Sequence, residues 1–335
     1  MKPCTFRCRD GGVMTGGVKY MGEYGKKVAF LFSGQGVQAS IIREHYKFLV
    51  SKDASRTEKF VQTLQDCFSE INPEIKIIVA DSLIDESSDF WIKTSFIQPL
   101  IYTLSLLSFE LFKDKNIQDY IPEYLLGHSL GAFSALTAAG SLSFEQGCSV
   151  VCVRGKFMQE ESENADNGMC AIIGLAEDKV QEICRKTNTE IALINAPTAF
   201  VVGCPRSIFP EIEKEAIILG AVKTIRLGTS GAFHTKTMQG AYEKFKVFFE
   251  KYPLSNPQVS IVSNMKGAAT MDIEELRYDC IESTINPINW VRMMGYLRNK
   301  VSNYIESGPG TSLSSLCKMN GIEKERILHV KTILE

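Results

Sequence analysis

The segment that most constrains this chain is Gly127-His128-Ser129-Leu130-Gly131, which lies between a short apolar run and an alanine-rich stretch. Residues 124–126 predict a buried strand, and residues 132–140 predict a helix. A serine between two glycines, after a strand and before a helix, is typical of the nucleophile elbow, which exposes the serine hydroxyl. The helix directs N–H groups and a positive dipole end toward the same point. This context favours a reactive serine over a tight turn with an incidental serine.

A second glycine-rich turn follows another predicted buried strand near the start of the chain. Residues 27–32 are apolar and lead into Ser33-Gly34-Gln35-Gly36-Val37-Gln38. Apolar residues at helical spacing predict helices at 55–68, 97–112 and 144–159. Strands that alternate with helices in this way predict a large α/β domain.

The stretch from residue 168 to 228 has an element order of its own. Its pattern predicts a strand at 169–175, a helix at 177–186, strands at 190–195 and 200–202, a helix at 208–219 and a strand at 222–227. This βαββαβ order is that of a ferredoxin-like unit. We therefore expect a small domain at residues 164–231, inserted into a larger domain formed by residues 27–163 and 232–335. Residues 1–26, without hydrophobic periodicity, are expected to form a flexible leader.

A nucleophilic serine needs a base, and the chain contains four histidines: His45, His128, His234 and His329. His128 belongs to the elbow, where the turn would point it away from the serine. His45 and His329 lie in charged or terminal surroundings and are interpreted as surface residues. His234, just after the inserted domain, is the remaining candidate. A structural histidine is the alternative that the residues themselves leave open.

Composition narrows the class of protein. The 335 residues are 44% hydrophobic and 23% charged, which is typical of a globular chain, and a net charge of −2 gives no sign of nucleic-acid binding. Ten cysteines are scattered without a CxxC pair, which favours reduced thiols and a cytoplasmic location. Cys148 and Cys152 are interpreted as small core residues, and no metal site is expected.

No run is expected to approach the roughly 20 apolar residues of a membrane span. The sequence therefore predicts a soluble protein without membrane contact, and we expect a monomer. The leader lacks the apolar region of a secretory signal, whereas organellar targeting by its basic residues stays open.

Seven short motifs resemble, in order and spacing, those of the malonyl-CoA:acyl-carrier-protein transacylases. The resemblance covers essentially residues 27–331 and is far more specific than any one motif. The motifs are Gly34-Gln35-Gly36-x-Gln38, Gly127-His128-Ser129-Leu130-Gly131, Arg154-Gly155-Lys156-x-Met158-Gln159, Gly231-Ala232-Phe233-His234, Ser263-Asn264, Asn286-Pro287-x-x-Trp290 and Gly308-Pro309-Gly310.

The resemblance implies an α/β-hydrolase-like large domain with an inserted ferredoxin-like domain, and a ping-pong transfer of malonyl from CoA to the phosphopantetheine thiol of an acyl carrier protein. It implies Ser129 as the nucleophile and His234 as its general base. It implies the N–H groups of Gln35 and Leu130 as the oxyanion hole. No metal or redox cofactor is implied, since the phosphopantetheine belongs to the partner.

The resemblance also implies a substrate-binding set. Arg154 would clamp the free carboxylate of malonate, because a guanidinium can form two parallel charge-assisted hydrogen bonds. Phe233 would select malonyl over methylmalonyl units. The family dispenses with an acidic third member and orients the histidine through a backbone carbonyl, expected near Asn289. His128 and Asn195 complete the set.

Two positions depart from the family pattern, and two other functions stay open. Ala132 stands where the family usually has glutamate, and Ala199 where glutamine is common. An acyl hydrolase or thioesterase of the same fold would use the same serine and histidine, and a noncatalytic docking module would use neither. A hydrolase of uncharged acyl chains has no use for a buried Arg154, which argues for the transferase.

Overall fold

The computed structural model describes residues 25–74, 79–83, 89–116 and 118–335, so the predicted leader lies outside the described residues apart from its last two. The strands are β1 (Lys26–Phe32), β2 (Tyr120–Gly127), β3 (Asn167–Ile173), β4 (Glu190–Ala196), β5 (Ala199–Pro205), β6 (Lys223–Leu227), β7 (Ser260–Ser263), β8 (Ala268–Thr270), β9 (Ile288–Asn289), β10 (Asn303–Ser307) and β11 (Ile327–His329). The α-helices are α1 (Ala39–Lys52), α2 (Ala54–Ile71), α3 (Val79–Ser82), α4 (Thr94–Asn116), α5 (Gly131–Ala138), α6 (Phe144–Glu163), α7 (Glu177–Thr187), α8 (Phe209–Ile218), α9 (Gln239–Phe249), α10 (Ile273–Glu282), α11 (Trp290–Leu297), α12 (Ser312–Met319) and α13 (Val330–Leu334).

The larger sheet has the order β11-β10-β1-β2-β7-β8 among the described residues, and its neighbours are parallel except for β7 and β8. Its central strand β1 is buried on both faces, as its continuous apolar sequence predicts. Phe30 packs on one face against Phe109 and Phe112 of α4, with both ring centroids at 4.9 Å. Leu31 faces the opposite cluster, which contains Trp290.

Parallel pairing brings the two glycine-rich turns together. In the register of β1 and β2, Phe32 lies opposite Gly127, so both strands end at the same edge of the sheet. The turn that contains Gln35 therefore lies beside the turn that contains Ser129. This edge is where open α/β sheets bind ligands.

Helix α4 is the buried spine of the larger domain. Its residues 94–115 are long and apolar enough to cross a membrane by length and composition alone, but 94% of its apolar window is buried inside the protein. The expectation that no run approaches membrane-span length overlooked this helix. Its apolar residues contact neighbouring helices and the sheet, as in the core helix of a globular protein.

The smaller sheet confirms the predicted βαββαβ order. Strands β3 to β6 and helices α7 and α8 give the strand order β6-β3-β5-β4, with antiparallel neighbours, which is the ferredoxin-like arrangement. Strand β9, far along the chain, adds to β4 in parallel, with Leu193 opposite Ile288. The sheet thus extends beyond residues 164–231, whose bounds as a domain stay a prediction.

Two cysteines and two histidines outside the proposed catalytic residues also have defined surroundings in the structure. Cys148 and Cys152 are fully buried in the core, which confirms their interpretation as small core residues. The interpretation of His45 as a surface residue is wrong, and His329 is half-buried rather than fully exposed. His45 is buried and bonded to Ser108 Oγ at 2.7 Å, and the ring of His329 bonds the Gly310 carbonyl at 2.8 Å.

Candidate active site

Ser129 lies on a strained turn between β2 and α5. Its φ of +53° is in the left-handed region, which residues with a side chain rarely adopt. The flanking glycines make this turn possible, because a Cβ on Gly127 would lie 1.8 Å from the Gly131 carbonyl carbon, and one on Gly131 would lie 2.0 Å from Phe32 O. The predicted elbow is therefore present, with both glycines required by close backbone contact.

The backbone N–H groups of Gln35 and Leu130 lie in the two neighbouring turns at this edge of the sheet. Leu130 directly precedes α5, and Gln35 follows β1. Within the described residues neither N–H donates to another protein group, so both remain available to a ligand. The oxyanion-hole role stays a prediction that this geometry allows.

His234 also has a left-handed backbone, with φ of +63°, and its ring is buried with a residue exposure of 4%. Its Nδ1 lies 2.5 Å from the carbonyl oxygen of Ser283. Because a carbonyl can only accept, the proton is on Nδ1, and Nε2 keeps its lone pair. Burial, with the nearby Arg154 charge, lowers the pKa of His234 to about 3. The imidazole is therefore neutral at physiological pH, in the form that accepts a proton.

The carbonyl that orients His234 is not the one that the sequence indicated. It was expected near Asn289, whereas the structure gives this contact to Ser283 at the end of α10. Asn289 instead stabilises the start of the next helix, because its side chain accepts from Arg292 N at 2.9 Å and caps α11. Its own N–H donates to Asn264 Oδ1 at 2.7 Å. Asn289 thus holds local structure near the site.

Arg154 projects from α6 into the interior and is only 1% exposed. Its Nη2 donates to Ser129 Oγ at 3.4 Å, and its Nη1 donates to Gln98 Oε1. The guanidinium carbon lies 5.4 Å from the centre of the Phe133 ring, a cation–π distance. Burial lowers the pKa of Arg154 to about 10, so the group stays charged near neutral pH.

The Arg154 charge has no carboxylate partner within the described parts of the chain, and its buried Nε has no acceptor there. A buried cation without an anion is costly. The most direct way to offset this cost is an anion supplied by the substrate. The arrangement therefore favours a ligand with a negative group close to Ser129.

Gln98 is a site residue that the sequence interpretation missed. It lies fully buried in α4, accepts from Arg154 and donates through Nε2 to Thr94 Oγ1 at 2.8 Å. Thr94 Oγ1 in turn donates to Gln35 Oε1 at 2.9 Å. A hydrogen-bonded chain thus joins the Gln35 turn to Arg154. A glutamine inside a largely apolar helical stretch, directly before Pro99, was the available signal.

The structure brings Ser129 and Arg154 into contact and places Arg154 near His234, but no hydrogen bond joins Ser129 to His234 in the described residues. Such bonds are often long in unliganded enzymes and shorten when substrate binds. His128 points away from Ser129, as expected. Its Nε2 pairs with Asn195 Oδ1 at 3.0 Å.

Two residues of the predicted substrate-binding set, His128 and Phe233, are buried. The His128 ring packs at a centroid distance of 5.7 Å from Trp290. The Phe233 side chain is buried with Met158 of α6 and with apolar residues of the smaller sheet such as Met169. No group of three metal-ligating side chains occurs in the portion of the chain that the structure describes.

Comparison with known proteins decides the family. The sequence profile of the acyl transferase domain matches residues 29–276, about three quarters of the chain. The chain belongs to the acyl transferase family. This acyltransferase is 29% identical over 302 residues to the malonyl CoA-acyl carrier protein transacylase of Bacillus subtilis, covering 87% of this chain and 90% of that protein.

Other relatives agree with this membership. The acyltransferase is 32% identical over 230 residues to the polyketide biosynthesis protein ThaF of Burkholderia thailandensis, covering 68% of this chain and 19% of that protein. The chain is also similar to the crystal structure of MCAT from Streptococcus pneumoniae, with a TM-score of 0.75 and 27% identity. The match covers 90% of this chain and 95% of the Streptococcus chain. The predicted family and its two-sheet α/β fold are therefore confirmed.

Proposed function

We propose that this acyltransferase moves a malonyl group from CoA to the phosphopantetheine thiol of an acyl carrier protein through an ester on Ser129. The observation that carries the proposal is the buried guanidinium of Arg154, which has no carboxylate partner among the described residues and lies 3.4 Å from the Ser129 hydroxyl. A malonyl thioester carries its carboxylate a short distance from the carbonyl carbon that serine attacks. Arg154 would bind this carboxylate with two parallel hydrogen bonds.

The first half-reaction forms the ester. His234 Nε2 takes the proton of Ser129 Oγ as this oxygen attacks the thioester carbonyl carbon. The N–H groups of Gln35 and Leu130 stabilise the negative oxygen of the tetrahedral intermediate. The C–S bond then breaks, and the proton passes from His234 to the departing CoA thiolate.

The second half-reaction reverses these roles. His234 takes the proton of the carrier thiol, whose sulfur attacks the ester carbonyl, and returns it to Ser129 Oγ as the C–O bond breaks. No atom changes oxidation state, so the chemistry needs no redox cofactor. The Bacillus relative is named for transfer to an acyl carrier protein, which supports the choice of acceptor.

We also propose that the protein is a monomer and that malonyl-CoA and a carrier protein are its only partners. Fatty-acid and polyketide synthesis both consume malonyl carriers, and a relative is named for the latter. Transfer measured across a panel of carrier proteins from both pathways decides the pathway. The cytoplasmic location stays a prediction.

Mass spectrometry after mixing with malonyl-CoA tests the proposal. We expect a malonyl adduct that maps to Ser129 and that disappears when an acyl carrier protein is added. Rapid release of free malonate without a carrier would indicate the hydrolase, and the absence of any adduct would indicate a docking module.

Ser129→Ala should abolish both the adduct and the transfer, because it removes the attacking oxygen. Ser134→Ala is the matched control. Ser134 is buried in α5 just beyond the elbow, and its Oγ has no partner within the described residues, so its loss should leave acylation unchanged. An adduct on another residue in Ser129→Ala would contradict the assignment.

A further inference from the structure

Asp279 is a buried carboxylate that the proposed reaction does not use. It lies in α10 with 5% exposure. It accepts hydrogen bonds from Ser263 Oγ at 2.9 Å, Met265 N at 2.6 Å and Asn264 N at 3.2 Å. Burial of a carboxylate is costly unless donors satisfy it. These three bonds therefore fix α10 against the turn at residues 263–265.

The same turn also holds the chain that follows α10. The side chain of Asn264 donates to Pro287 O at 3.1 Å and accepts from Asn289 N at 2.7 Å. A carbonyl can only accept and an N–H can only donate, so the two partners fix the orientation of the amide. One turn thus anchors the chain at residue 279 and again at residues 287–289.

Ser283 lies between these two anchors. Its N–H donates to the backbone carbonyl of Asp279 at 3.0 Å, one helical turn earlier. Its own carbonyl accepts from His234 Nδ1. The position of this carbonyl is therefore determined by the anchors on both sides of it. A shift of α10 relative to residues 263–265 would move the carbonyl away from the histidine ring.

We propose that Asp279 is a positioning residue for His234. By holding α10 on the turn at residues 263–265, its carboxylate fixes the Ser283 carbonyl, and that carbonyl keeps the imidazole in the Nδ1–H tautomer with Nε2 free. The tautomer follows from the geometry alone, whereas its use as a base rests on the proposed function.

The test combines a spectroscopic and a kinetic measurement on the full chain. Nitrogen-15 NMR of the imidazole should show a single Nδ1–H tautomer for His234 in the wild type and a mixture in Asp279→Ala. The rate constant for acylation by malonyl-CoA in rapid-quench experiments should fall about 100-fold, the effect of a reacting group displaced by about 1 Å. The KM for malonyl-CoA should stay unchanged.

Asp279→Asn should have an effect on the acylation rate that is smaller than that of Asp279→Ala. Its Oδ1 can still accept from Ser263 and Met265, so we expect a loss of about 10-fold, between wild type and alanine. Ser263→Ala removes one of the donors to the Asp279 carboxylate. If Asp279→Ala does not fold, the same measurements are made on Asp279→Asn and Ser263→Ala. A full wild-type rate and tautomer in all three variants would overturn the proposal.

Asp272→Ala is the matched control. Asp272 caps the other end of α10 through Glu274 N at 2.8 Å and Glu275 N at 3.1 Å, so its loss weakens the same helix without releasing the anchor. We expect a lower Tm with an unchanged tautomer and acylation rate. Equal slowing in Asp272→Ala and Asp279→Asn would make Asp279 merely structural. If the wild type forms no malonyl-serine, the proposed function fails, and the tautomer comparison still decides the role of Asp279.

Discussion

The turn at Ser129 and the turn at His234 place their residues in the same unusual backbone conformation, with φ of +53° and +63°. Left-handed backbone costs a residue with a side chain roughly 1 kcal/mol or more. The two turns offset this cost in different ways. Gly127 and Gly131 allow close backbone contact between the Ser129 turn and the end of β1. The serine and both glycines lie within five consecutive residues.

The His234 turn depends on contacts from more distant parts of the chain. Thr235 Oγ1 closes it locally on Ala232 O at 2.7 Å, but the ring is oriented by Ser283, 49 residues later. The nucleophile is thus presented by a local motif, and the base by packing between segments. We expect substitutions around the serine to act through the turn itself, and substitutions around the histidine to act over long distances.

The largest effect at the histidine turn is expected for His234→Ala. Removal of a general base typically costs 10²–10⁴-fold, so we expect acylation by malonyl-CoA to slow by about 10³-fold while binding of the thioester stays nearly intact. Rapid-quench acylation and equilibrium binding measure the two quantities. A higher KM with an unchanged kcat would contradict the role.

The pH dependence of the wild type provides a second measurement on the same residue. The pKa of His234 is lowered to about 3, so the neutral, proton-accepting imidazole persists as the pH falls from 8 to 5. Acylation should therefore show no loss from this group over that range. A loss with a midpoint near the ordinary histidine pKa of about 6.5 would show that the ring is more solvated than its burial indicates.

Arg154→Ala removes the guanidinium that contacts Ser129 Oγ and lies near His234. Truncation of one partner in a buried charge pair costs about 2–5 kcal/mol, so kcat/KM for malonyl-CoA should fall by about 30-fold to about 5,000-fold. Acetyl-CoA has no carboxylate and should lose far less. Arg226→Ala, which removes an exposed arginine paired with Glu213, is the control. Equal losses for both acyl donors would make Arg154 structural.

The smallest effect concerns Phe233, directly before the base. Its ring would fill the space that an α-methyl group needs, and one methyl in such a pocket is worth about 1–3 kcal/mol. Phe233→Ser should relax the preference for malonyl over methylmalonyl, measured as relative kcat/KM in a competition. Because both substrates meet the same protein, any loss of stability cancels from this ratio.

Phe233→Leu is the control for packing, since the side chain is buried in an apolar cluster and leucine keeps much of its volume. We expect it to retain most of the preference. If the wild type already uses methylmalonyl-CoA as well as malonyl-CoA, Phe233 does not select the extender unit.

Features that depend on neighbouring residues could be predicted from the sequence alone. The elbow, the glycine-rich turn after β1 and the βαββαβ order all follow from local patterns of glycine and apolar residues, and the structure has each of them. Arg154 was also found, because it lies within a motif at a fixed distance from Ser129. Local periodicity and turn chemistry act within a few residues, so a single sequence displays them.

Contacts between distant groups became visible only in the folded chain. The fold gives the carbonyl on His234 to Ser283 rather than to a residue near Asn289, and it brings Gln98 onto Arg154. It also buries His45 against Ser108 of α4 and bonds the half-buried ring of His329 to the Gly310 carbonyl, contacts that their neighbours in sequence do not indicate. A backbone carbonyl carries no side-chain signature, and the partner of a buried polar group is selected by packing between elements. These contacts therefore have no local pattern from which they could be predicted.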